Sequence, residues 1–154
     1  MKKGILITVI IIAAFVFIDL LIISMTAFLS YTPPGQRNEM IEYYSNDENY
    51  ITVVGKVTEV IKVEEGTLYV TINEKENNES LFLEVQPEFE EILYQNGLYF
   101  EANNEVYYSF VIAPKIWWDG WKEPIVAVYS EDGSMTYLDY ETGKSFYVEY
   151  MRSL

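Results

Sequence analysis

The sequence predicts a mainly β domain behind a transmembrane helix, with one short helix set among the strands. Three observations carry that expectation. An apolar run from Ile5 to Leu29 contains a single charged residue, Asp19. Alternation of apolar and polar residues with period two begins at Tyr50 and returns several times along the chain. All 14 tyrosines and all three tryptophans lie beyond Ser30, a composition suited to pleated, half-buried surfaces.

A helix from Ile5 to Leu29 would be roughly 37 Å long at about 1.5 Å per residue, more than the roughly 30 Å hydrocarbon layer requires. Lys2 and Lys3 precede it, so the positive-inside rule places the N-terminus in the cytoplasm and residues 31–154 outside. A cleaved signal peptide is the competing reading. Signal cores run about 7 to 15 residues and end at a small-x-small site, whereas the best candidate here, Met25-Thr26-Ala27, opens with a bulky residue. The length therefore favours a retained single-pass anchor. An Asp at the centre of a span costs on the order of 2.5 to 3.5 kcal/mol, but Asp19 lies towards the outer end of the run. It either reaches the headgroups or meets a partner helix. The expected organisation is residues 1–30 as cytoplasmic tip and anchor, 31–49 as stalk and short helix, and 50–154 as the extracytoplasmic domain.

Composition removes several function classes. The net charge is −14 and every acidic residue except Asp19 lies beyond Ser30, so the outer domain repels polyanions and nucleic acid is not an expected partner. Zero Cys excludes disulfides, a lipoprotein anchor and thiolate chemistry; zero His removes the usual general base and zinc ligand. No catalytic motif is present, and no enzyme activity, cofactor or metal is expected.

Along the outer chain, Pro33-Pro34-Gly35 is expected to end the membrane helix and begin a stalk. Asn38 caps a brief helix over Glu39 to Tyr44. In the first strand Ile51, Val53 and Val57 face one side and Thr52, Val54, Lys56 and Thr58 the other, with Gly55 marking a bulge or bend. Glu64-Glu65-Gly66 turns the chain into a second strand, where Leu68, Val70 and Ile72 face inward. In the third, Leu81, Leu83 and Val85 do the same, which leaves Tyr69, Thr71, Phe82 and Glu84 on one outer face. Pro87 to Gly97 is a helix: proline at N1, glutamates in the first turn, an apolar face of Phe89, Ile92 and Leu93, and a glycine stop. Strands follow over Leu98–Glu101, Val106–Ile112 and Ile125–Tyr129. A closing hairpin is expected from Met135–Tyr140 and Ser145–Tyr150, with a turn at Glu141-Thr142-Gly143-Lys144.

Three strands, a short helix and further strands, with a glycine in the first strand, resemble the oligonucleotide/oligosaccharide-binding (OB) fold over roughly Tyr50 to Ser130. The stretch from Asn49 to Val57 is also similar to the first strand of small membrane-anchored or secreted OB-like proteins of Gram-positive bacteria. The resemblance implies an OB-like five-stranded barrel with one short helix and a C-terminal β-hairpin extension. The strands that would form the ligand face carry no basic residues, which departs from the nucleic-acid-binding members.

The candidate ligand site is aromatic. Trp117, Trp118 and Trp121 fall on the loop between strands four and five, where rings can stack on sugar faces or cations and Asp119 and Glu123 can accept hydrogen bonds. The other reading folds these indoles back over the barrel mouth as secondary core. Tyr69 and Phe82 would extend the platform, or simply stabilise the sheet as a cross-strand pair. The expected function is a membrane-anchored extracytoplasmic module that binds a glycan, a peptide or an envelope protein. A structural or interaction subunit recruited through Asp19 is the alternative.

Overall fold

A computed structural model of the chain describes residues 16–20, 34–63, 66–114 and 123–154. Chain contacts divide it into two units, Met1–Asn38 and Glu39–Leu154. In the first unit, residues 16–20 are helical with exposed side chains, Asp19 among them. Among the described residues no helix is long and apolar enough to cross a membrane; the rest of the expected anchor, Ile5 to Leu29, lies outside them.

Helix α1 (Pro34–Ser45) corrects the expected stalk. Proline lacks the backbone donor that the first turn of a helix leaves unpaired, so Pro34 opens a helix instead of only ending one. The brief helix expected over Glu39 to Tyr44 is the second half of α1, where Met40 and Tyr44 are buried. A single 3-10 turn (Asp47–Asn49), capped by the Asn46 side chain on the Glu48 N–H, leads into the sheet.

The second unit is mainly β: a closed five-stranded barrel with one additional strand and helices around it. Its strands are β1 (Ile51–Lys62), β2 (Leu68–Glu74), β3 (Ser80–Val85), β4 (Tyr107–Ile112), β5 (Glu123–Ser130) and β6 (Thr136–Leu138). β1 is long enough to pair twice, with β4 from Ile51 to Lys56 and with β2 from Gly55 to Lys62. Closure comes from a short parallel pairing, Leu83 with Glu123 and Glu84 with Pro124, so the order round the barrel is β1-β2-β3-β5-β4-β1. β6 adds to the outer edge of β5.

Two bulges shape the barrel. Thr58 is the extra residue of β1 between Val57, opposite Ile72, and Glu59, opposite Thr71. Its hydroxyl donates to the Thr71 carbonyl at 3.1 Å, which satisfies an acceptor at the irregular step. Beyond it the faces exchange parity, so Val60 packs on the core while Glu59 and Ile61 turn outward. Gly55 lies at the double pairing, where a Cβ would sit 2.9 Å from Ile72 Cδ1 and 3.0 Å from the Asn73 carbonyl oxygen. The second bulge is Val126 on β5, between Ile125, opposite Ile112, and Ala127, opposite Val111.

Helix α2 (Pro87–Gln95) lies between β3 and β4, as the sequence predicts, and buries Phe89 and Leu93. Its end is built by Gly97 at φ 81°: the Gly97 N–H bonds the Tyr94 carbonyl and the Leu98 N–H bonds the Leu93 carbonyl, with Leu98 buried against the core. That arrangement explains why Leu98–Glu101 is not the expected strand. The Leu98 donor belongs to the helix end, and both edges of β4 are already taken by β1 and β5. Leu98 is buried and Phe100 packs edge-on to Tyr108, which produces the alternation without a ladder.

The C-terminal segment is the larger correction. Ser145–Tyr150 is not a strand but the middle of helix α3 (Tyr140–Ser153). The Asp139 carboxylate caps it by accepting from the Thr142 N–H at 2.9 Å, and Gly143, Tyr147 and Met151 recur at every fourth position on its buried side. The expected turn at Gly143 is the first turn of this helix, and the β-hairpin extension reduces to β5 and β6. Tyr147 stacks on Tyr44 of α1 with ring centres 5.3 Å apart and meets Phe89 of α2 edge-on, so one ring joins three helices.

Candidate functional site

The outer face of β2 and β3 follows from their register. Tyr69 stands opposite Glu84 and Thr71 opposite Phe82, with Val70 and Leu83 turned into the core. Tyr69 and Phe82 are therefore diagonal neighbours, and their rings stack with centres 5.3 Å apart and planes 20° off parallel. Both are half-buried.

β1 extends this face in a way that simple alternation hides. Because of the Thr58 bulge, Ile61 comes opposite Tyr69 and is 40% exposed, while Glu59 comes opposite Thr71. The Thr71 hydroxyl donates to Glu59 Oε2 at 3.4 Å, and the Gln86 amide donates to Glu84 Oε1 at 2.8 Å. The result is an apolar diagonal of Ile61, Tyr69 and Phe82 bordered by two carboxylates. Ile61 is the site residue that sequence reasoning missed, since only the bulge brings it to this side.

Two connections join the sheet beside the face. The β1–β2 turn leaves from Lys62, opposite Leu68, and the β4–β5 connection re-enters the sheet at Glu123, opposite Leu83 and so one residue from Phe82. Trp117, Trp118 and Trp121 belong to that second connection and lie outside the described residues. Tyr69 and Phe82 are thus brought together as expected. Asp19 belongs to the first unit, on the exposed helical segment 16–20.

Glu123 differs from its expected role as a displayed acceptor. Paired with inward-facing Leu83, it is half-buried; its Oε2 is buried with no hydrogen-bond partner among the described residues. Burial pushes its carboxyl above the usual range. The Tyr43 phenol is raised by its own burial and then by the Glu123 charge, and it donates to the Pro114 carbonyl at the start of the tryptophan connection.

Charge elsewhere on the unit is one-sided. Every basic side chain described in Glu39–Leu154 is held by a carboxylate: Lys56 by Glu105, Lys62 by Glu90, Lys75 by Glu131, Lys144 by Asp47 and Arg152 by Glu149. The acids outnumber these cations several times over, so the uncompensated surface charge is carboxylate. Among the described residues no three acids gather in a geometry that would hold a metal ion. Two further acids are engaged by neighbouring side chains: Asp47 accepts from Lys144 and Tyr140, Asp132 from Ser130 and Ser134. No family model and no curated protein matches the chain.

Proposed function

We propose that this protein is a non-enzymatic, extracytoplasmic binding module, held by a single-pass anchor over Ile5 to Leu29 with its N-terminus in the cytoplasm, and that the outer β2–β3 face receives a glycan, a peptide or an envelope protein. The observation that carries the reading is the half-buried Tyr69–Phe82 stack, near the strand ends from which the β1–β2 turn leaves and to which the tryptophan-bearing connection returns. The strand order, with the helix between β3 and β4, supports an OB-like barrel, in which this face and these two loops bind oligomeric ligands. Stacking on sugar rings, aliphatic groups or cations needs only a flat ring and a dry neighbour such as Ile61.

The test is site-specific photo-cross-linking in membranes. A photoreactive side chain at Phe82 captures an envelope component, and one at Glu76, in the turn at the far end of β2 and β3, does not. Equal capture at both positions, or none at Phe82, removes the reading. Protease added to intact cells should degrade the barrel if it faces outward.

A second reading draws on Asp19, which is exposed on a helical segment among exposed Val16, Phe17, Ile18 and Leu20. An acid within an apolar span is a polar contact for a partner helix. Loss of a membrane cross-link on Asp19→Leu, with the Phe82 cross-link absent, favours a structural subunit over a binding module.

A further inference from the structure

We infer that the groove between the start of α2 and the outer half of α3 is a docking site for a lysine- or arginine-bearing peptide segment, separate from the outer β2–β3 face. The groove has a volume of about 460 Å³ and is walled by Phe146 and Tyr150, floored by Pro87 and rimmed by Glu88 and Glu149. Phe146 and Tyr150 sit four apart on α3, and their rings lie parallel within 5°, centres 6.1 Å apart. Phe146 is anchored from behind by Phe89, ring centres 4.8 Å apart, whereas Tyr150 is 45% exposed. One wall is therefore fixed and the other is open to a guest.

Charge selects the occupant. Arg152 is committed to Glu149, and Glu88 on the opposite rim has no cation among the described residues. Every other basic side chain described in the unit is likewise committed to a carboxylate, so no described cation of the unit competes for this position. An ammonium or guanidinium placed over the Tyr150 face and beside Glu88 gains both a ring-quadrupole attraction and an opposite charge, while its methylene stem covers Pro87. An anionic segment would be repelled by the Glu88 and Glu149 carboxylates, and a neutral apolar one would leave Glu88 facing it.

The experiment is a fluorescence-anisotropy titration of the full-length protein in detergent with a labelled hexa-arginine peptide, using hexaglutamine as the neutral probe. Tyr150→Ala and Glu88→Gln should each weaken hexa-arginine binding roughly two- to fivefold. Glu76→Gln, which removes the same charge from the far turn, should leave it unchanged, and Tyr150→Phe should retain it. Because Tyr150 lies at the surface and outside the buried core, circular dichroism of Tyr150→Ala should match the parent. Equal loss from Glu76→Gln reduces the effect to diffuse charge and overturns the site, as does unchanged binding by Tyr150→Ala. Equal binding of hexaglutamine overturns the cationic preference.

Discussion

A Cβ placed on Gly143 would lie 1.8 Å from the carbonyl oxygen of Val126. Gly143 is in the first turn of α3 and Val126 is the bulged residue of β5, so the helix backbone rests directly on the bulge. On that side β5 is paired with β3 only at Glu123 and Pro124 and with β6 only from Val128 onward. The helix fills the interval between them. Gly143→Ala tests this, because two effects oppose one another. Alanine favours the helix by about 1 kcal/mol over glycine, whereas the clash with a backbone atom costs about 3 kcal/mol or more. Urea unfolding should show a net loss; a gain would mean that α3 does not sit on the bulge.

Glu123→Gln should stabilise the protein at neutral pH. The folded carboxyl titrates above its unfolded value because burial disfavours its charge. The folded state therefore binds the proton more tightly, its stability is full below the unfolded pKa, and it is lost as pH rises through the folded pKa. With the half-exposure of the side chain discounted, the gain for the amide is about 1 kcal/mol or less. The measurement is unfolding free energy against pH: the decline above the ordinary carboxylate range should disappear in the variant, and the Tyr43 phenol should titrate lower once the neighbouring charge is gone.

Glu90 carries the opposite sign. Burial alone would raise its carboxyl, but hydrogen bonds from Lys62 at 2.8 and 3.0 Å and from Tyr94, together with the Lys62 charge, outweigh it and hold the group below the usual range. Its stabilising effect is present above the unfolded pKa and is lost as pH falls through the folded pKa. Glu90→Gln should cost about 1 to 2 kcal/mol at neutral pH, moderated by the exposure of Lys62. It should also release the Tyr94 phenol, now pushed up to about 12 by the Glu90 carboxylate first and by burial second, towards its ordinary value. Ultraviolet titration of the tyrosines reads that shift.

How far the sequence discloses this molecule depends on whether a residue's role is local. Pro87 and Gly97 state the bounds of α2 by themselves, because a missing donor and a positive φ are requirements of one residue. The inward sets Leu68, Val70, Ile72 and Leu83, Val85 are equally plain, since period two survives along β2 and β3. Gly143 is ambiguous in sequence: glycine after Glu141-Thr142 resembles a turn, and only the approach of Val126 from elsewhere in the chain explains it. Tyr147 and Val148 have strand preferences that the Asp139 cap and the four-residue recurrence override. Of the candidate site, the Tyr69–Phe82 pair is legible from alternation alone. Ile61 is not, because its side depends on where one extra residue is accommodated.

That extra residue, Thr58, gives the most demanding prediction. Deleting it removes the bulge and leaves a regular ladder in which Glu59 still pairs with Thr71, Val60 with Val70 and Ile61 with Tyr69, so every side chain beyond the deletion keeps its present side. Were Thr58 instead paired within the ladder, Glu59 would turn inward beside Val70 and Ile72, both fully buried. An unpaired charge in an apolar core costs several kcal/mol, a large share of a small domain's stability, so the extra residue is bulged out of the ladder, and the deletion should keep cooperative unfolding. Thr58→Val keeps the residue count and removes only the hydrogen bond to the Thr71 carbonyl. It should cost about 1 kcal/mol and leave the Tyr69–Phe82 stack intact. Near-ultraviolet circular dichroism, which reports the packed aromatics, should show the native spectrum for both variants; its loss in the deletion would show that Thr58 is not simply the extra residue that sets which side Ile61 faces.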